Sequence, residues 1–163
     1  MYKRQLRDGT ADIAVVTTPS VHSASLTETP VRPVREVPVC SPYFSELIGK
    51  EVLLADLLRF PLISLGEDTK SFQFYSSLFA AHGLSYQPDI EAFTADQILP
   101  MVEADLGVGF IPEEFLHKND NVRVIDLKEA IPERDIVLVK RKGQPLSVAA
   151  KELEHMILEQ RGR

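Results

Sequence analysis

Cysteine is almost absent from this chain. The single Cys40 excludes an internal disulfide and any multi-cysteine zinc cluster. Long apolar runs are absent too: each is cut by charge, proline or glycine before it reaches membrane-spanning length. The N-terminus lacks the basic-then-apolar order of a secretory segment, so a cytoplasmic location and no membrane partner are expected. Positive charge is short. With a formal net charge of −6, the chain offers no broad attractive field to a phosphate backbone. The one basic run, Lys140-Arg141-Lys142, has no aromatic interleaving or recognition-helix pattern around it and reads as a solvated strand end. His22, His82, His117 and His155 have no metal-ligand spacing, and Cys40 has no local acid-base partner. No enzyme activity, metal or cofactor is expected.

What is present is a globular composition. The 163 residues are 44% hydrophobic and 26% charged, which supplies a core and a soluble surface and argues against disorder. Gln5-Leu6-Arg7-Asp8-Gly9 reads as a helix end closed by glycine, whose missing Cβ makes a left-handed cap inexpensive. Residues 11–16 are largely apolar, as in a strand buried on both faces of a parallel sheet. Thr17, Thr18 and Pro19 follow at the strand end, where α/β sheets present ligand-facing loops. Residues 20–29 are polar and expected as a loop. Residues 31–40, with Pro33 and Pro38, are expected as an edge or crossing strand, and Ser41-Pro42 as a hinge.

Farther on, Leu62-Ile63-Ser64-Leu65 reads as a short strand with Gly66 opening the turn. Asp68 or Thr69 caps a helix to about His82, with Phe72, Tyr75 and Phe79 on one face and Phe74, Leu78 and Ala81 beside them. Residues 90–93 alternate as a strand. Thr94 with Gln97 fits a capping box, while Pro100 favours a start nearer Asp96. Residues 122–127 and 136–139 read as further strands, separated by a turn at residues 132–135. Ser147 caps a last helix with Ala150, Leu153, Met156 and Ile157 inward. The order of elements favours a mixed α/β, two-lobed domain over a helical bundle.

Four islands, in order, resemble the effector-binding (substrate-binding) domain of LysR-type transcriptional regulators. They are Leu6-Arg7-Asp8-Gly9-Thr10-Ala11-Asp12-Ile13-Ala14-Val15; Asp56-Leu57 with Phe60-Pro61-Leu62-Ile63; the stretch from Val102 through Gly107-Val108-Gly109-Phe110-Ile111-Pro112; and Arg134-Asp135-Ile136-Val137-Leu138-Val139 through Leu146-Ser147. Together they cover the chain from about Leu6 to Ile157.

The resemblance implies a two-lobed, periplasmic-binding-protein-like (type II) α/β effector domain whose first lobe is incomplete. The expected divisions are residues 6–42 as the partial first lobe, 43–135 as the second, and 136–160 as a return segment with a C-terminal helix packing on the first lobe. A small polar or carboxylate-bearing effector is expected between the lobes. A homo-oligomer is expected through the sensor domain, and promoter DNA is expected to be met only through an N-terminal domain that this chain lacks. A standalone solute-binding module, or a structural oligomerisation fragment, is the alternative.

The expected effector contacts are Thr17 and Thr18, then Ser64, Leu65 and Gly66, then Phe93 and Thr94. A threonine hydroxyl can donate to a carboxylate or accept from an amide, and backbone donors at a helix start can hold an anion. Thr17 and Thr18 could equally cap a loop or strand end, Ser64–Gly66 could be a routine helix entry, and Phe93 is more often a core residue. Gly107 and Gly109 lack the spacing of a nucleotide fingerprint. With Pro112 they are expected to shape the cleft wall, and a bulky residue at Gly109 would fail through dihedrals or crowding.

Overall fold

The computed structural model describes residues 2–20, 23–118 and 120–159, so His22 lies outside the described residues. The chain divides into two compact units: Met1–Val34 with Arg134–Arg163, and Arg35–Glu133. The first division falls at Val34, ahead of the expected boundary at residues 42 and 43. The second falls before Arg134, where a break after Asp135 was expected.

The first unit is a three-stranded antiparallel sheet. Helix α1 (Tyr2–Asp8) leads through Gly9, at φ +74°, into β1 (Ile13–Thr17). Strand β10 (Arg134–Arg141) lies between β1 and β2 (Leu26–Val34) and pairs antiparallel with both. The expected doubly buried parallel strand is therefore corrected. Strand β1 is an edge strand of half-buried residues with Val15 exposed, an arrangement that an antiparallel sheet tolerates. Leu6, Leu26, Val137 and Val139 form the core of this unit. Burial of Leu26 is why β2 begins inside the stretch expected as loop. A register shift between Ile136 and Val137 bulges β2, and its prolines, Pro30 and Pro33, sit on a sheet edge where a missing N–H costs least.

Helix α5 (Val148–Glu159) starts at Ser147, whose Oγ accepts from Ala150 N at 3.2 Å. Lys140 Nζ reaches Glu154 Oε1 at 2.5 Å, tying α5 to β10. Ala150 is buried and Ile157 half-buried, but Leu153 and Met156, expected inward, are exposed.

The second unit is built on a five-stranded sheet with strands β3 (Glu36–Cys40), β5 (Leu62–Leu65), β6 (Ile90–Ala92), β7 (Val108–Pro112) and β8 (Arg123–Val124), in the order β6-β5-β7-β3-β8. Strand β5 runs parallel to β6 and β7, whereas β3 runs antiparallel to β7 and β8. The single extended segment expected over residues 31–40 is thus two strands in two sheets, broken at Arg35. Pro38 is accommodated inside the sheet, its carbonyl accepting from Ile125 N at 2.9 Å although it has no N–H of its own to donate. The strand expected over residues 122–127 also divides. Strand β8 joins β3, and β9 (Asp126–Leu127) pairs in parallel with β4 (Glu51–Val52), with Ile125 buried between. The short helix α2 (Leu54–Leu57) follows β4. Ser41-Pro42 lies within this unit as a turn, with Tyr43 N donating to Ser41 Oγ at 3.3 Å.

Alternation along the strands loads both faces of the sheet. Leu62, Val108, Phe110 and Cys40 face helix α3 (Lys70–Ala81), which contributes Tyr75, Leu78 and Phe79. Thr69 caps α3, its Oγ1 accepting from Phe72 N at 3.1 Å. Ile63, Ile111, Val37 and Val39 face helix α4 (Ile98–Glu103), which contributes Ile98 and Val102. Gln97 Oε1 accepts from Phe93 N and Thr94 N at 2.9 and 3.3 Å, and Pro100 falls in the first turn of α4, where its missing N–H is harmless.

Gly109 explains how closely α4 can lie on β7. A Cβ there would stand 2.5 Å from Ile98 Cγ2 and 3.1 Å from Val102 Cγ2. At Gly107 a Cβ would collide with the Pro61 carbonyl oxygen, which accepts from Val108 N at 2.8 Å. Crowding, rather than a left-handed dihedral, is the constraint at both positions. Gly109→Val is expected to lower stability by about 2 kcal/mol or more through overpacking, read as the urea midpoint of unfolding. An unchanged midpoint would contradict this packing.

Burial also sets the response of the second unit to alkali. It pushes the Cys40 thiol from its ordinary 9.0 up to about 11, with Arg123 offsetting part of the rise. The Tyr86 phenol rises from 10.0 to about 12 for the same reason, partly offset by the Ser64 hydroxyl. Both groups ionise more readily in the unfolded chain, so their contribution is intact below about pH 9 and is lost as pH climbs towards 11 and 12. The urea midpoint should fall steadily above about pH 9, and less steeply in Cys40→Ala. A midpoint equal at about pH 8 and pH 10.5 would refute it.

Candidate functional site

The parallel strands of the second unit end together. Register places Ala92, Leu65, Ile111 and Val37 in one row. Phe93 follows directly on the last paired residue of β6 and Gly66 on that of β5, while Pro112, paired with Glu36, ends β7. The carboxyl ends of parallel strands are where α/β sheets offer ligands their loops. The sequence-selected Leu65, Gly66, Phe93 and Thr94 are therefore brought to one edge of one sheet. Pro112 ends β7 at this edge, whereas Gly107 stands just before β7 and Gly109, its second residue, lies against α4.

Exposure at this edge differs from a simple reading of residue type. Phe93, expected as an effector contact although its residue type is more often core, is 89% exposed. Its neighbour Ala92 takes the buried position on β6, so alternation sends Phe93 outward. Thr94 is exposed, while Leu65 and Gly66 are half-buried. Ser64 shares the α3-facing side of β5 with Leu62, and its Oγ is buried in the layer that also holds Tyr86, whose phenol it influences. The hydroxyl of Ser64 thus belongs to the inner layer of the sheet.

Charge at this edge is mostly negative. A Cβ at Gly66 would lie 2.9 Å from Glu91 Oε1 and 3.3 Å from Asp68 Oδ1, so two carboxylates already line the turn that leads to α3. Arg35 stands across from Glu113, 3.4 Å from its Oε2, with both side chains largely exposed. Deeper, Tyr75 OH donates to the buried Glu36 Oε2 at 2.8 Å. Glu36 and Arg35 also border a cavity of about 320 Å³ with Asp126 and Glu129.

In the first unit, Thr17 and Thr18 form a fixed strand end. Thr18 N donates to Asp135 O at 2.9 Å, and Asp135 N returns a bond to Thr18 Oγ1 at 2.9 Å. Arg134, only 3% exposed, donates from its guanidinium to Thr17 Oγ1 at 2.8 Å and from Nε to the Thr18 carbonyl. Thr18 also lines a cavity of about 800 Å³ with Ser23, Glu28, Asp135 and Lys142. Sequence reasoning missed Arg134, Arg35 and Glu36. The visible signal was charge next to extended chain: Arg134 opens an apolar strand that needs a buried partner for any cation it carries inward.

Among the described residues, no group of three or more His, Cys, Asp or Glu is placed to hold a metal ion. No described helix is long and apolar enough to cross a membrane.

Solved structures of other proteins share this fold. The regulatory domain of Synechocystis CcmR in complex with 2-PG aligns with a TM-score of 0.85 at 14% identity, over 99% of this chain and 79% of that one. The effector binding domain of QuiR in complex with shikimate aligns with a TM-score of 0.85 at 18% identity, over 98% and 76%. The effector binding domain of a BenM variant aligns with a TM-score of 0.75 at 17% identity, over 98% and 75%. These likenesses establish the two-lobed α/β, periplasmic-binding-protein-like fold. A search of curated proteins gave no match. The LysR substrate binding domain family matches residues 2–162. With that match spanning nearly the whole chain, and with an α/β fold shared with effector-binding domains, the chain belongs to the LysR substrate binding domain family.

Proposed function

We propose that this chain is the sensor of a transcriptional regulator and binds a small polar or carboxylate-bearing effector at its strand ends. Thr17 and Thr18 serve in the first unit. Ser64, Leu65, Gly66, Phe93 and Thr94 serve in the second. The supporting observation is that three neighbouring strands of one sheet, β6, β5 and β7, lead directly into Phe93, into Gly66 and to Pro112 at their carboxyl ends. Phe93 offers an exposed ring to an apolar portion of the effector, and Thr94 offers a hydroxyl and a backbone group. The buried Ser64 hydroxyl acts from beneath, supporting the turn.

In this reading the sensor assembles as a homo-oligomer and meets promoter DNA through an attached DNA-binding domain. Effector binding alters that engagement only if affinity differs between conformations of the sensor. The cytoplasm is the compartment that such a regulator requires.

The test is a calorimetric screen of small polar acids against the chain, starting with shikimate and 2-PG, the ligands of two structural neighbours. The expected result is saturable binding of at least one acid, weakened roughly 10-fold or more by the paired changes Thr17→Ala and Ser64→Ala. Saturable binding that the pair leaves undiminished would reject these strand ends as the effector site.

A further inference from the structure

We infer that the cavity of about 320 Å³ between β3 and the segment following β8 is a second ligand site, suited to a small organic cation with an apolar body. No residue proposed above to meet the effector lines it, so this site stands or falls apart from that reading. The cavity lies wholly in the second unit. Its walls come from the two ends of that unit: residues 35–38 directly follow the first crossing, after Val34, and residues 129–131 come just before the second, after Glu133.

A fork in the chain opens the space. Strand β8 pairs with β3 at Val39 and Cys40, and Ile125 N donates to the Pro38 carbonyl at 2.9 Å. Asp126 and Leu127 then pair with Glu51 and Val52 of β4 instead. The segment thus turns away from β3 beside residues 35–37, and the gap it leaves is the cavity. Lys128 N donates to Val52 O at 3.0 Å and Leu54 N to Glu129 Oε2 at 2.8 Å, so the far wall is fixed before any ligand arrives. Walls set in advance spare a ligand the cost of ordering them. The volume is at the small end of the range for ligand cavities, roughly 300–1,000 Å³.

The lining selects the ligand. Val37, Leu127 and Ile131 supply an apolar wall, while Glu36, Asp126 and Glu129 outnumber the lone cation, Arg35. Arg35 stands 3.4 Å from Glu113 Oε2, and Glu36 Oε2 accepts from Tyr75 OH, so the chemistry offered to a ligand rests with Asp126 and Glu129. The Asp126 carboxylate makes no hydrogen bond among the described residues, and Glu129 commits Oε2 to Leu54 N and keeps Oε1. An ionised carboxylate only accepts hydrogen bonds. An ammonium group supplies the donors and the opposite charge, and the bonds so formed are the stronger, charge-assisted kind. A ligand carboxylate would bring neither donor nor attraction.

Three probes of one shape test the assignment on the 163-residue chain: isopentylamine as its ammonium ion, neutral isovaleramide and the isovalerate anion. Titrations follow the backbone amide shifts of Val37, Asp126, Leu127 and Ile131. The expected result is saturable binding of isopentylamine at these amides, roughly 10-fold or more tightly than isovaleramide, with isovalerate the weakest. Asp126→Asn and Glu129→Gln should each reduce that preference while leaving isovaleramide binding in place. The Gln carbonyl can still accept from Leu54 N, and Asp126 is exposed, so if Glu129→Gln does not fold, Asp126→Asn still decides. Glu152→Gln removes the same charge from the exposed face of α5, in the first unit, and should change nothing. Isopentylamine that binds no better than isovaleramide, or that weakens equally in Glu152→Gln, would overturn the site and leave only diffuse attraction to an acidic chain. Amides silent to all three probes would overturn it as well.

Discussion

A guanidinium cannot leave water without partners, and the way Arg134 is satisfied organises the first unit. Its donors go to Thr17 and to the Thr18 carbonyl at the end of β1. That fixes where β1 stops relative to β10, and β10 in turn carries β2 on its other side. A buried charge of this kind is weak evidence for stability, because its desolvation offsets much of its attraction. It is better evidence for register.

The second unit solves a different problem. Its sheet is apolar on both faces, and each face is matched to one helix, α3 on Leu62 and Phe110 and α4 on Ile63 and Ile111. Close approach of α4 requires that β7 present no side chain at Gly109. With both faces consumed by packing, the strand ends are left to carry chemistry. That edge combines an exposed ring at Phe93, an exposed hydroxyl at Thr94 and a turn at Gly66 bounded by carboxylates. Acidic groups there oppose the idea that the start of α3 holds an anion, since Glu91 and Asp68 already stand beside it.

Much of this was legible in the sequence, and the gaps have physical causes. Caps and breaks were readable because they are local: Thr69 caps α3, Ser147 caps α5, and Pro100 falls in a first helical turn. The four family islands gave the fold. Strand partners were less readable, because an apolar stretch such as Ile13–Thr17 suits a parallel or an antiparallel neighbour, and β10 supplied the latter. Facing was lost at strand ends. Phe93 and Ser64 exchanged the surroundings that their side chains suggest, one going outward and the other inward, because period-two alternation overrides residue type over so short a strand. Arg134 was hidden in a charged turn string, and its burial depends on partners distant in sequence, Thr17 and Thr18 among them.

The most direct test of the sensing account is a crystal structure of this chain with a bound dicarboxylate effector. The expected result is one effector carboxylate oxygen within hydrogen-bond distance of Thr17 Oγ1, with Arg134 still donating to that same hydroxyl oxygen. An effector whose carboxylate lies instead on the backbone of the Gly66 turn, with Glu91 displaced and Thr17 untouched, would contradict it.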